Sequence, residues 1–166
     1  MKYWAVITLL LASPIQAVDD DGCPKDTICA ADPASIVAVM QDEGYRAKLE
    51  KDKTGDPKIS SQASGHQFEI YFYGCVENKN CKSIQFTAGF SPADDQTPEY
   101  ANKWNNEKRF IKASITDKKE LDLNWDLTTV GGMMKENFVD SLDWWAVMLG
   151  EFSAFVEEQE KTDKAK

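Results

Sequence analysis

The chain has 166 residues, 42% of them apolar and 11% aromatic, with 28 acidic against 19 basic side chains and a formal charge of −9. That length and apolar content suit one globular domain with a real core and leave little room for two. The acid excess, with no basic stripe interleaved with aromatics, repels a phosphate backbone and argues against nucleic-acid binding.

Residues 1–17 open with Lys2, continue as the apolar run Tyr3 to Ala12 and close on Ser13-Pro14-Ile15-Gln16-Ala17, with a small residue where a signal peptidase cuts. The run is short for a bilayer. It therefore reads as a cleaved secretory signal rather than a buried N-terminal helix, with a mature start near Val18, no membrane anchor after cleavage and a periplasmic or secreted destination. Lys2 is the only charge removed, so the mature chain keeps 18 bases and 28 acids, a net −10. Residues 18–31 show no apolar period and read as a loop holding the acid triplet Asp19-Asp20-Asp21 and the first cysteine pair. Consecutive carboxylates on an extended arm converge poorly on one ion, so the triplet reads as a solvated charge run.

Four cysteines form two pairs of equal spacing, Cys23-x5-Cys29 and Cys75-x5-Cys81. Behind a secretory signal these are most simply two disulfides. Zinc is the competing reading, but five intervening residues exceed the usual two to four and His66 is the one histidine.

Asp32 is placed to cap a helix that begins with Pro33 and ends by Gly44, with Ile36, Val37, Val39 and Met40 on its apolar side. From Tyr45 the pattern alternates, Tyr45, Ala47 and Leu49 against Arg46, Lys48 and Glu50, as in a half-buried strand. Asp52 to Pro57 makes a turn that lacks the alternating acids and closing glutamate of a calcium loop. Ile59 to Ala63 follows as a short, polar, peripheral strand, and Ser64-Gly65-His66 turns into the next hairpin. His66 reads as an exposed loop histidine, since no nucleophile signature lies near it.

Phe68 to Phe90 carries the strongest pattern. With Cys75 facing Cys81, Phe72 falls opposite Ile84, Ile70 opposite Phe86 and Phe68 opposite Ala88, so the apolar side chains share one face. Of the three connectivities that four cysteines allow, only local pairing fits this register. Glu69, Tyr71, Tyr73, Ser83, Gln85 and Thr87 fall on the other face.

Ser91 to Gln96 reads as a polar loop, and Thr97-Pro98-Glu99 starts a helix to about Glu107 whose buried side is Tyr100, Ala101 and Trp104. Arg109 to Leu127 reads as a second hairpin, turning at Asp117-Lys118-Lys119-Glu120 and pairing Ile115 with Leu121, Ala113 with Leu123 and Ile111 with Trp125. Asp122, Asn124 and Asp126 then point outward, as a solubilising sheet face rather than a cation site. Gly131-Gly132 implies a tight turn or close backbone approach, because the phosphate-loop lysine and hydroxyl are missing.

The last helix, about Met134 to Glu158, carries Phe138, Leu142, Trp145, Leu149, Phe152 and Val156 as a stripe for the sheet. A second line, Trp144, Val147, Met148 and Phe155, lies roughly 100° around the helix, too far for one flat sheet to cover both. The shorter helices, a second copy or a protein partner must cover it. The charged segment 157–166 lacks a core face and is expected to fray as a flexible tail.

The fold class is thus α+β, an antiparallel sheet of hairpins backed by N-terminal, middle and C-terminal helices. No catalytic, cofactor or metal constellation emerges. The candidate interaction surface is Trp144, Val147, Met148 and Phe155 on the helix, or Tyr71 and Tyr73 on the outer hairpin face. A non-catalytic binding module is the leading reading. An inhibitor or binder of a basic envelope enzyme fits the charge, and a small carboxylate hydrolase would need a paired-acid cleft.

The set Phe72-Tyr73-Gly74-Cys75, Asn80-Cys81-x-Ser83-x-Gln85-Phe86, Asn102-x-Trp104-Asn105, Lys108-Arg109-Phe110 and Gly131-Gly132 resembles the YbjN family of bacterial sensory transduction regulators, in its exported branch. The resemblance runs from about Asp32 to Phe155, setting a domain at 32–156 after the disulfide loop. It implies a fold similar to type III secretion chaperones, often paired into homodimers. It implies no established enzymatic activity and supplies no catalytic residues.

Overall fold

The computed structural model of the protein describes residues 22–90 and 97–164. The expected signal segment, the Asp19–Asp21 triplet, the Ser91–Gln96 loop and the last two residues lie outside the described residues. In chain order the elements are α1 (Pro33–Asp42), β1 (Lys48–Lys51), β2 (Pro57–Ala63), β3 (His66–Tyr73), β4 (Ser83–Phe90), α2 (Pro98–Glu107), β5 (Lys112–Ile115), β6 (Leu121–Thr128) and α3 (Lys135–Lys164). The strands form one antiparallel sheet ordered β1-β2-β3-β4-β6-β5. The α+β expectation holds.

Local chemistry starts each element. The Asp32 carboxylate accepts from the Ser35 amide and the Thr97 hydroxyl from the Tyr100 amide, each just ahead of a proline that has no N–H to leave unpaired. Between β2 and β3, Ser64 and Gly65 both take positive φ, 49° and 81°, the backbone hand that suits a tight antiparallel turn. The β3–β4 register sets Phe72 against Ile84 and Ile70 against Phe86, as the alternation requires. In the other hairpin Ile115 faces Leu121 and Ala113 faces Leu123.

One face of the sheet is the core. Phe68, Ile70, Phe72, Ile84, Phe86, Leu121 and Leu123 are buried there, and α3 lays Phe138, Leu142, Trp145, Leu149, Phe152 and Val156 into the same core. α1 adds Ile36, Val39 and Met40, and α2 adds Ala101 and Trp104.

Several expectations need correction. β2 is not peripheral, because it hydrogen-bonds to β1 on one side and β3 on the other. Its polar composition hides this, since backbone pairing does not need large side chains. β1 begins only at Lys48 and forms the sheet edge, so Leu49, although it pairs with the buried Ile59, stays exposed. β5 begins at Lys112 rather than Arg109. α3 continues to Lys164, past the Glu158 at which the apolar pattern ends it. His66 is not a loop residue but the first residue of β3, half-buried with its ring 5.4 Å from that of Phe90.

Both local disulfides are present, Cys23–Cys29 and Cys75–Cys81. The first closes a loop that is part of the fold. Cys23, Ile28, Cys29 and Ala30 are buried, Ile28 and Met133 exchange backbone hydrogen bonds of 2.8 and 2.9 Å, and the Ala30 amide donates to the Thr129 hydroxyl at 2.9 Å. Gly131 and Gly132 both sit at φ +82°, and a Cβ on Gly132 would lie 2.3 Å from Thr27 Oγ1, whereas one on Gly131 would meet open space.

Two outcomes follow. Gly131→Ala should cost about 1 kcal/mol through its left-handed backbone alone, and Gly132→Ala clearly more, because the disulfide loop must also move; urea unfolding of the two variants measures the difference. Replacing Cys75 and Cys81 together by serine should lower stability by about 2 kcal/mol, the chain-entropy value for so short a ring, with the β3–β4 register intact; unfolding midpoints against the parent check it.

Candidate interaction surface

The structure divides the second stripe of α3. Met148 is only 5% exposed and belongs to the core, and Phe155 is covered by α2, its ring 5.0 Å from Tyr100 and 5.6 Å from Trp104. These two are therefore not available as a surface. Trp144, 44% exposed, and Val147, 53% exposed, remain outside.

A residue that sequence patterning placed inside a hairpin joins them. The Phe110 ring is 45% exposed and lies 5.8 Å from Trp144 and 5.8 Å from the half-buried Trp125. Its backbone has φ +67°, within a three-residue turn closed by the Ile111 amide donating to the Arg109 carbonyl at 2.8 Å. Such a conformation is strained for a side chain of this size and persists only where the surroundings impose it. They do so here. The Asn105 side chain donates to the Ala113 carbonyl at 2.9 Å and accepts from the Ala113 amide at 2.8 Å, while Trp104 Nε1 donates to the Ile111 carbonyl. With α2 and β5 clamped on one side and Ile111 fully buried, the chain turns at Phe110 and leaves its ring against Trp144. Arg109 lies over the same ring, 4.7 Å from its centroid. Apolar periodicity carries no trace of this, since the turn depends on contacts between separate segments. The one sequence signal was the run Lys108-Arg109-Phe110.

The outer sheet face is a different kind of surface. Tyr71 Oη donates to Glu69 Oε2 at 2.5 Å, Lys58 Nζ donates to the other Glu69 oxygen, and Lys58 also lies 5.8 Å from the Tyr71 ring centroid. Tyr73 Oη donates to Gln85, and Gln85 donates to Asp126 at 3.0 Å. Thr87 donates to Asn124 at 2.9 Å. The polar groups of this face thus satisfy one another, and Asn124 and Asp126 serve the sheet. A cleft of about 470 Å³ beside Tyr71 and Tyr73 is lined by Lys51, Asp52, Lys53 and Lys58. Among the described residues, no group of three or more His, Cys, Asp or Glu side chains could hold a metal ion, and no helix is long and apolar enough to cross a membrane.

The ionisable groups follow this geometry. Burial works to raise the Glu69 pKa, but hydrogen bonds from Lys58 and Tyr71 outweigh it and hold the carboxyl below its ordinary value. The same bond to Glu69, reinforced by burial, pushes Tyr71 up to about 12. Asp122 is raised by burial and, less, by Glu120. It lies on the outer sheet face and does not line the cleft beside the tyrosines.

The family model described as "YbjN: Putative bacterial sensory transduction regulator" matches residues 32–158. The chain belongs to the YbjN family. No curated protein sequence matches it. The YbjN match begins at Asp32, the cap of α1, and contains Phe110, Trp144 and Val147, leaving the Cys23–Cys29 loop outside. Its description names a regulator and no enzymatic reaction, so a regulatory or binding role is supported for the YbjN domain.

The tyrosine network gives a pH signature. A pKa raised above the unfolded value of about 10 means that the folded chain holds the Tyr71 proton longer, so stability from this bond is complete below about pH 10 and is lost as pH rises towards about 12. Absorbance titration at alkaline pH should show Tyr71 ionising latest, with Tyr45 and Tyr73, raised chiefly by burial, also above the ordinary range, and Glu69→Gln should lower the latest of these transitions.

Proposed function

We propose that this chain is an exported, non-catalytic regulatory domain of the bacterial cell envelope that works by holding a protein partner on the Trp144 face. The signal-like segment 1–17 and the two local cysteine pairs support export into an oxidising compartment. The YbjN membership supports regulation.

The observation that carries the binding role is the exposed cluster of Trp144, Phe110 and Val147. Scattered apolar side chains are ordinary on a surface, but adjoining aromatic rings on a rigid scaffold have the composition of an interaction hot spot. α3 is anchored by its core stripe, and Phe110 is held by the clamp between α2 and β5. A partner therefore meets preset rings and loses little freedom in ordering them. The outer sheet face offers less, because its hydroxyls and carboxylates already bond to each other.

Affinity capture of the mature chain from envelope extract, run beside Trp144→Ala and Met148→Ala, tests this. Trp144→Ala should lose the captured protein while costing under about 1 kcal/mol of stability, as surface substitutions do. Met148→Ala should cost about 2–5 kcal/mol as a core truncation, yet keep the partner under conditions where it stays folded. A partner retained equally by Trp144→Ala would remove the face from this role.

A further inference from the structure

Charge around the exposed rings indicates what kind of segment they receive. From Glu136 to Glu160 the sequence holds seven acidic residues and no basic one. On a helix, residues three and four apart are neighbours. Asp140 stands one turn before Trp144, and Asp143 and Glu151 flank Val147 one turn before and one turn after. Asp140, Asp143, Trp144 and Val147 are all exposed, so the apolar side chains and the acids share one solvent-facing strip.

The acids differ in what they already do. Glu151 is paired with Lys108 at 2.7 Å, whereas Asp140 and Asp143 form no ion pair among the described residues. On the opposite rim Lys108 is taken by Glu151, and the Arg109 guanidinium stacks over Phe110. Negative charge is thus left free on the side of the strip towards Glu136, and the apolar rings stand beside it.

We propose that the Trp144 face receives a cationic amphipathic segment of a protein partner, its apolar side on Trp144, Val147 and Phe110 and its lysine or arginine side against Asp140 and Asp143. This rests on the binding role proposed above and names the chemistry of the partner. The strip from Glu136 to Val147 is about 16 Å long, the reach of a helix of roughly three turns lying against it. Two other occupants fit less well. A second copy packed α3 to α3 would bring two acidic strips together. An anionic lipid surface would be repelled by the same carboxylates.

Calorimetric titration of the mature chain with three synthetic peptides of about 18 residues decides the matter. One is amphipathic with lysine on its polar side, one has the same apolar positions with glutamate instead, and one is a scramble of the lysine peptide. The lysine amphipath should bind at least about 10-fold more tightly than either of the others, and about 10-fold more weakly at about 300 mM salt than at about 50 mM. Trp144→Ala should weaken it about 10-fold, and the double variant Asp140→Lys, Asp143→Lys should reverse the preference towards the glutamate peptide, each variant still unfolding cooperatively and losing under about 1 kcal/mol of stability.

Equal affinity for the lysine and glutamate peptides, equal affinity for the scramble, or no binding of the lysine amphipath would overturn the inference. So would sedimentation showing a dimer that Trp144→Ala dissolves, which would assign the face to self-association. A captured partner that depends on Trp144 but contacts it through a neutral or acidic segment would leave the binding role standing and remove this inference alone.

Discussion

Trp145 lies 5.7 Å from Phe68 and 5.4 Å from Phe86, with its ring wedged between α3 and the two central strands. It is fully buried, and its indole N–H finds no protein acceptor among the described residues. The ring is thus held by packing against Phe68 and Phe86 rather than by a polar bond to the protein. This contact sets the rotation of α3 on the sheet. Successive helical residues are about 100° apart, so placing Trp145 inward carries Trp144 to the side, where the sheet cannot reach it.

The remaining elements complete that arrangement. Phe152, two turns further along α3, meets Trp104 at 4.8 Å and Phe90 at 4.8 Å, which ties α2 and the end of β4 to the same helix. α2 then covers Phe155 but ends at Glu107, short of Trp144. At the other end of the sheet the Cys23–Cys29 loop packs against the approach to α3, where only a glycine at position 132 lets Thr27 come so close. A loop outside the family match thus helps to seat the helix on which the candidate surface stands.

The two solvent-facing regions differ in kind. On the outer sheet face Tyr71, Glu69, Lys58, Gln85 and Asp126 form a chain of mutual partners, and a ligand there must compete with bonds already made. Beside α3, Trp144, Phe110 and Val147 expose carbon surface that the fold has not used, with carboxylates next to it. Covering such carbon surface is favourable and displaces few internal contacts, chiefly the stacking of Arg109 on Phe110, and this contrast with the sheet face is the ground for the binding role proposed here.

Much of the fold could be read from the residues alone. The caps at Asp32 and Thr97, the pairing of Phe72 with Ile84 and of Ala113 with Leu123, and the inward stripe from Phe138 to Val156 all follow from local rules of period two and period 3.6. The same rules showed that the sheet could not cover both stripes of α3. Within that second line Met148 lies only about 60° round the helix from Trp145 and Val147 about 160°, so their burial follows helix geometry. The rules could not separate Phe155 from Trp144, which are about 20° apart and differ in which neighbour reaches them: Tyr100 and Trp104 of α2 cover Phe155 alone. Nor could they place Phe110, whose outward ring follows from a backbone turn imposed by Asn105, Trp104 and buried Ile111. Local propensity determined which elements form and which sides they bury. Only the tertiary packing decided which apolar side chains were left over, since that depends on where a helix from elsewhere in the chain happens to end.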